Sequence, residues 1–382
     1  MKGLSLEIKN LKLWKVFNSR LEPTVAASIN GNTSKAPSGA STGSHEAEAF
    51  VPESLRKLEK ELKEKFEGKK LKQEEFDKEL ERFDGTKKFS KIGSASIALS
   101  QAFKKAEGFK KSNVFPYPVS NIVGGGEHGG KTSIQEFLVI PTNAERFPEA
   151  VETNASIYRE FKERYSSKMM GKNDEGALVT RMDDEEVIKK LNKVAKEHNA
   201  KIGLDIAANE LWDGQKYEYK SLNMDIKPKD QLKFVKKLVE EYDLFYVEDP
   251  FHEDDFRSFQ LLRRETDCLV VGDDLFVTDK ARLSRGIENG SGNSIIIKPN
   301  QAGTVSKTKQ TFDKAEKNGF KPIISHRSGE TCDPFISYLA LGWGAPMLKV
   351  GIADIRIAKL NPLIKEWKKL EEEGKNPRMA EL

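Results

Sequence analysis

Residues 245–250 read Phe245-Tyr246-Val247-Glu248-Asp249-Pro250: a short β-prone apolar run that stops on a carboxylate. The same figure recurs along the chain. Ile202-Gly203-Leu204 ends in Asp205, Leu269-Val270-Val271-Gly272 in Asp273, and Ser294-Ile295-Ile296-Ile297 in Lys298. Ile323-Ile324-Ser325 leads to His326, and Met347-Leu348 to Lys349. Most of these ionisable residues lie about 25 positions apart, the length of one strand–helix unit, which argues for a parallel sheet. In a (β/α)8 barrel the C-terminal strand ends converge on one mouth, where the active site sits. The six endings would then face one cavity. The first interval is longer, and Leu211 to Met224 contains Trp212-Asp213-Gly214, a turn signal that suits an inserted hairpin. A doubly wound open sheet is the competing architecture, but it would place its site at a switch point in the strand order rather than around a ring.

Upstream the pattern changes. Leu4, Leu6 and Ile8 alternate with polar residues, Leu11 and Leu13 continue the alternation, and the β-prone run Thr24 to Ile29 is followed by Asn30-Gly31. These features predict a small antiparallel sheet. Helices are expected from there to about Gly108. Leu55, Leu58, Leu62 and Phe66 recur at helical spacing, so the Lys/Glu-rich stretch from Glu53 to Arg82 reads as the solvated face of ordinary helices. Ser94 to Leu99 forms a small-residue helix. Strands followed by helices suggest an α+β domain. Phe115-Pro116-Tyr117-Pro118 is the best boundary, giving an N-terminal α+β capping domain over 1–117 and a C-terminal barrel over 118–382.

Bulk properties narrow the functional class. The chain of 382 residues exceeds the size at which one core usually stops growing. Its 64 basic and 60 acidic residues leave a net charge of +4, which is no footprint for nucleic acid. No apolar run approaches the roughly 20 residues that cross a bilayer. The first residues lack the apolar core of a secretory signal, and Cys268 and Cys332 are too few for a disulfide framework. A cytoplasmic protein without membrane or nucleic-acid partners is expected.

Asp205, Glu248 and Asp273 end three successive predicted strands, which places three carboxylates side by side. Hard oxygen ligands of this kind suit Mg²⁺. A lysine beside such a cluster has a specific use. Removing a proton from a carbon next to a carboxylate creates a highly charged enolate, which cations must neutralise as it develops. The base must be neutral beforehand, and nearby positive charge lowers a lysine's pKa. Strand spacing alone leaves Lys298 and Lys349 as equal candidates.

Several segments resemble those of the enolase family, in the family's order and over nearly the whole chain. They include Pro37-Ser38-Gly39-Ala40-Ser41-Thr42-Gly43, Gln135-Glu136-Phe137, Asp174-Glu175-Gly176 and Val247-Glu248-Asp249-Pro250. Gly272-Asp273-Asp274-Leu275, Ile297-Lys298-Pro299-Asn300-Gln301 and Ser325-His326-Arg327-Ser328-Gly329-Glu330-Thr331 continue the series. The resemblance implies a Mg²⁺-dependent hydro-lyase that interconverts 2-phosphoglycerate and phosphoenolpyruvate. It implies that Asp205, Glu248 and Asp273 hold one Mg²⁺ and that Ser41 helps hold a second, with His128 on another closing loop. It selects Lys298 as the base and implies that Glu175 assists departure of the C3 hydroxyl, with Glu136 and Gln135 beside it. Arg327 and Ser328 would hold the phosphate, Lys349 would contact the carboxylate, and His326 would lie near the leaving group. A homodimer or higher homo-oligomer is also implied. His45, His198 and His252 are expected to be structural or surface residues.

The chain departs from the family pattern at several points. Ser19-Arg20-Leu21-Glu22-Pro23-Thr24 stands where the family has a Ser-Arg-Gly-Asn-Pro-Thr turn, and Ala177 stands where a second glycine is expected. The region after His45-Glu46-Ala47 is short, and Ala353-Asp354-Ile355-Arg356 replaces Arg-Ser-Glu-Arg near the family's dimer contact. Two other readings compete. Another lyase or isomerase of the same superfamily would share the carboxylates and barrel but would not need the phosphate clamp. A catalytically silent homologue acting as a binding or structural protein would have lost a ligand or the base, and neither is missing.

Overall fold

The computed structural model of the protein describes residues 5–39, 46–126 and 129–382. Ser41, His45 and His128 therefore lie outside the described residues.

The N-terminal part opens with an antiparallel three-stranded sheet, Leu11–Phe17, Pro23–Ile29 and Asn32–Lys35. Asn30 and Gly31 both have positive φ, +51° and +82°, the geometry by which Asn-Gly joins two strands tightly. Leu6–Glu7 pairs separately with Lys70–Leu71. Three helices follow, Leu55–Phe66, Gln73–Asp84 and Ala95–Glu107. Leu58, Leu62 and Phe66 lie buried on one face of the first helix, as their spacing predicts. Ser96, Ala98 and Ala102 keep the third helix slim enough to pack closely, and it is buried from Ala95 to Phe103.

Eight strands then close a barrel: β1 Tyr117–Gly124, β2 Glu136–Ile140, β3 Lys201–Asp205, β4 Tyr246–Glu248, β5 Leu269–Gly272, β6 Ser294–Ile297, β7 Lys321–Ser325 and β8 Met347–Lys349. Ring closure comes from β8 on β1, with Met347 opposite Tyr117 and Lys349 opposite Val119. β3 to β8 are parallel, as the strand spacing predicts. β2 is not. It runs antiparallel to both β1 and β3, with Glu136 opposite Gly124 and Asp205. The reason is the connection: the eleven positions 125–135 are too few for the dozen or more residues that a parallel crossover takes, so the chain turns back directly. Reversal puts the start of β2, and with it Glu136, at the mouth where the parallel strands end.

Between β2 and β3 the helices Phe147–Arg164 and Asp184–Glu197 flank a short antiparallel pair, Met169–Lys172 with Leu178–Thr180. Leu178 pairs with Val123 near the end of β1, which brings the loop 173–177 to the mouth. Ala177 fits without a second glycine, because Gly176 alone takes positive φ (+81°) and the Asn173 side chain accepts both the Glu175 and Ala177 amides. The expected insertion after β3 is present. Asp213 accepts the Gln215 and Lys216 amides to close a turn, and Tyr217–Tyr219 pairs with Met224–Ile226.

The two parts have separate hydrophobic cores and are joined by polar contacts at the barrel mouth. Ser38 and Gly329 exchange backbone hydrogen bonds of 2.9 Å in both directions. A Cβ at Gly329 would stand 2.4 Å from Ser38 Oγ and 2.6 Å from Asn18 Nδ2, so only glycine permits this approach. Asp333 accepts from Ser34 Oγ (2.6 Å), the Lys35 amide (2.9 Å) and Lys105 Nζ (2.5 Å). Asp77 and Ser100, from the N-terminal part, accept the first amides of the barrel helix Val305–Lys317. On the far side of residues 40–45 the Ala47 amide donates to Gln301 O (2.8 Å), so both flanks of that segment are tied to the mouth.

Leu21 is 82% exposed with φ +59°, a left-handed conformation that costs a side chain roughly 1–2 kcal/mol relative to the right-handed one. Leu21→Gly is expected to raise unfolding free energy by about 1 kcal/mol, measured by denaturant titration. No change, or destabilisation, would show that the Leu21 side chain has a stabilising role.

Candidate active site

The cavity at the mouth has a volume of about 230 Å³, and its lining includes residues from both parts of the molecule. Asp205, Asp273, Lys298, His326 and Lys349 line it from five strand ends, joined by Glu136 from the reversed strand and Glu175 from the loop 173–177. Glu248 is fully buried at the end of β4 beneath them.

Lys349 organises the floor. Its Nζ lies 2.8 Å from Asp205 Oδ2, 2.8 Å from both Glu248 oxygens and 2.9 Å from Glu136 Oε2. Tyr246, two residues before Glu248 and so on the same face of β4, donates its hydroxyl to Glu248 Oε2. Burial, then the adjacent Asp205 charge, pushes Glu248 well above the ordinary carboxylate range despite Lys349. Burial likewise raises Asp205, with Lys349 opposing. Burial alone would lower Lys349, but Asp205, Glu136 and Glu248 outweigh it and hold the ammonium firmly protonated.

A second lysine stands beside this group. Lys298 follows β6, where its amide donates to Thr278 Oγ1 (2.9 Å), and its Nζ pairs with Asp273 Oδ2. Gln301 Nε2 donates to Asp273 Oδ1 at 3.2 Å. Burial would raise Asp273, yet Lys298 and Lys349 together hold it below its usual value. Burial also works to lower Lys298, and Arg327 and Lys349 assist, but Asp273 reverses the sign and keeps it raised. The lowered lysine pKa expected from sequence is therefore not produced by the protein groups alone. Glu248, Asp249 and Asp273 bring carboxylate oxygens within 4.8 Å of one another. Asp249 is committed, however, to the amides of Asp273 (3.1 Å) and Asp274 (2.8 Å), which orients the β5 terminus.

Across the cavity Glu136, Glu175 and His326 each bring one atom within 4.8 Å of the others. Burial raises Glu136, Lys349 opposes, and the Glu175 carboxylate raises it further, so Glu136 favours its protonated form. His326 Nε2 lies 3.9 Å from Glu175 Oε2, and its Nδ1 accepts from Arg356 Nε at 3.3 Å. Burial, then the Arg356 charge, pushes His326 well below its usual value, so it is neutral.

The third wall is cationic. Arg327 is buried, with one guanidinium nitrogen 2.9 Å from Glu46 Oε2 and 3.2 Å from Asn300 Oδ1. Ser328 follows it, its hydroxyl facing Arg20 at 3.5 Å. Gln135 lines the same cavity. His198 pairs on the surface with Glu160, and His252 packs near Trp212, both away from the site. Glu46, Asn300, Tyr246 and Arg356 are contributors that the sequence reading did not assign. Asn300 lay within a quoted motif, but the partners of the other three become visible only in three dimensions.

His326 is neutral in the fold and protonatable at about pH 6.5 once unfolded. The unfolded chain therefore binds more protons below that pH, and stability is lost as pH falls from 6.5 towards the depressed folded value. Relative to His326→Gln, the protein should lose up to about 1.4 kcal/mol of stability per pH unit below 6.5. Denaturant titrations of both proteins between pH 7.5 and 5 measure this. A constant difference between them would show that His326 takes up a proton in the fold as readily as in the unfolded chain.

Comparison with known proteins matches this geometry to one family. The family described as "Enolase, N-terminal domain" matches residues 8–117, and "Enolase, C-terminal TIM barrel domain" matches residues 112–378. Among similar curated proteins is the enolase of Archaeoglobus fulgidus, 39% identical over 96% of this chain and 97% of its own length. That of Methanothermobacter thermautotrophicus is 38% identical over 98% of this chain and 99% of its own. The enolase of Pyrobaculum aerophilum is 38% identical over 94% and 96%. The folded architecture, the clustered carboxylates and lysines, and these matches along the whole chain lead to one conclusion: the chain belongs to the enolase family.

Proposed function

We propose that the protein catalyses the reversible Mg²⁺-dependent dehydration of 2-phosphoglycerate to phosphoenolpyruvate, the hydro-lyase step of glycolysis and gluconeogenesis carried out by phosphopyruvate hydratase. One observation carries the reading. A single cavity sets two lysines among carboxylates, opposite the buried Glu136–Glu175 acid pair and beside a buried arginine.

A divalent cation suits the donors present: hard carboxylate oxygens of Asp205, Glu248 and Asp273, crowded enough that burial and repulsion raise two of them. Bound there, Mg²⁺ supplies positive charge for the substrate carboxylate and for the enolate formed when C2 loses its proton. Ser41, the proposed contributor to a second Mg²⁺ site, and His128 lie outside the described residues. Lys298 takes the C2 proton. It must first be neutral, and Asp273 is the charge that now keeps it protonated, so Lys298 becomes basic when Asp273 is engaged elsewhere. Lys349 keeps its proton, which suits it to hold the substrate carboxylate rather than to act as base. Glu175, with Glu136 and Gln135 beside it, delivers a proton to the C3 hydroxyl so that it leaves as water. Arg327 and Ser328 hold the phosphate, the guanidinium exchanging Glu46 for the substrate's stronger anion.

The remaining features fit a cytoplasmic enzyme built of two units, 1–117 and 118–382, with separate cores apart from Phe115 and Tyr117, which pack into the core of the second. No helix among the described residues is long and apolar enough to cross a membrane, and both cysteines are free. Among the described residues, Trp14, Phe17, Leu21, Met170 and Ile357 are the large apolar side chains left exposed. Phe17, Leu21, Met170 and Ile357 each lie within three residues of a partner in the Arg20–Asp174 or Lys172–Asp354 ion pair, and a second copy of the chain covering them would give a homodimer or higher homo-oligomer.

Purified protein with Mg²⁺ should convert 2-phosphoglycerate to phosphoenolpyruvate, followed by the ultraviolet absorbance of the new conjugated enol. Asp273→Asn should shift the Mg²⁺ dependence to higher concentration by at least about tenfold. Absence of turnover at saturating Mg²⁺ would overturn the reading, and an unchanged metal titration would remove Asp273 from the ligand set.

A further inference from the structure

Arg356 is completely buried, yet among the described residues no carboxylate pairs with it. A buried guanidinium without a counter-ion carries a desolvation cost that an apolar side chain of similar size would avoid. Its donors are instead spent on neutral acceptors from three segments of the site. Nε donates to His326 Nδ1 at 3.3 Å. One terminal nitrogen reaches Asp174 O at 3.2 Å, immediately before Glu175, and Ser19 Oγ at 3.4 Å. The other reaches Ser328 O at 2.7 Å and Arg327 O at 3.2 Å. Glycine makes room for this arrangement, since a Cβ at Gly351 would stand 3.0 Å from Glu175 O and 3.1 Å from Arg356 Cγ.

We propose that Arg356 is a positioning residue: it fixes His326 as a neutral imidazole carrying its proton on Nε2, facing the Glu136–Glu175 pair. The chemistry is directional. Guanidinium can only donate, so Nδ1 of His326 must be the acceptor and the ring proton must sit on Nε2. The face turned to Glu175 is then a donor. It offers no lone pair that could draw a proton away from these acids, and a proton they carry stays available for the departing hydroxyl. The groups facing His326 are Arg356, Lys349, Lys298 and Lys359 on the cationic side and Glu175 and Glu136 on the acidic side. The cations reinforce its neutrality.

This inference rests on the proposed dehydration for its kinetic consequence but not for its structural one, and the test separates the two. Nitrogen-15 spectra of the full-length protein with saturating Mg²⁺, labelled at histidine, report the tautomer directly. His326 should show a protonated Nε2 and an unprotonated Nδ1 from pH 6 to 8, with the signal assigned by its loss in His326→Gln. A proton on Nδ1, or a charged ring, in the unsubstituted protein would overturn the proposal whether or not any variant folds and whether or not 2-phosphoglycerate is turned over. In Arg356→Met the tautomer should become mixed and kcat should fall by about a hundredfold, with KM changing less than about threefold. Arg356→Met in the His326→Gln background should cost less than about threefold further. A full second loss there, or a fall confined to KM, would assign Arg356 to substrate binding instead.

Discussion

The barrel mouth is governed by charge balance in a place with little water. Asp205, Glu248 and Glu136 converge on one ammonium, that of Lys349, and all four side chains are almost wholly buried. Removing Lys349 would leave its buried carboxylates without their counter-ion, at a typical cost of about 3–5 kcal/mol. The positions of β3, β4 and β8 relative to β2 are therefore tied to one another by electrostatics as well as by backbone pairing. The same balance divides the labour of the two lysines. Lys349 faces three carboxylates and stays charged, whereas Lys298 faces one, Asp273, and its protonation depends on that single partner.

Two features of the chain trace complete the site. The antiparallel run of β2 delivers Glu136 from the start of a strand to the level at which its neighbours end, so an acid joins the strand-end residues without breaking the ring. The docking of the N-terminal part supplies the remaining wall. Ser38 on Gly329 and Ala47 on Gln301 fix the flanks of residues 40–45, and Glu46 reaches Arg327. These joints are polar and local, in contrast to the two apolar cores behind them, which suits a seam where the site must admit and release a highly charged ligand.

Much of this was legible in the sequence because strand ends are legible. An apolar run that stops on Asp, Glu, Lys or His marks both a barrel strand and the depth of its last side chain, and six such stops gave the cavity. The Asn30-Gly31 turn, the Leu58-Leu62-Phe66 face and the hairpin after β3 followed from local propensity. The reversal of β2 did not, since a five-residue apolar strand carries no mark of direction; only the short 125–135 connection implies it. Leu21 was recognised as a departure, but its exposed left-handed geometry was not foreseen. Glu46, Tyr246 and Arg356 stood in quoted segments without a role, because an acid, a tyrosine or an arginine there acquires its role from partners distant in sequence. Arg356 is bonded to residues from 19, 174 and 326–328 at once.

The central claim is that Lys298, released from Asp273, is the base that takes the substrate's C2 proton. Exchange of that proton with deuterium oxide, followed by nuclear magnetic resonance with Mg²⁺ present, tests it most directly in the unsubstituted protein and in Lys298→Ala. The account predicts ready exchange in the first and none detectable in the second, while 2-phosphoglycerate still binds. Exchange persisting in Lys298→Ala would contradict it and move the base elsewhere in the cavity.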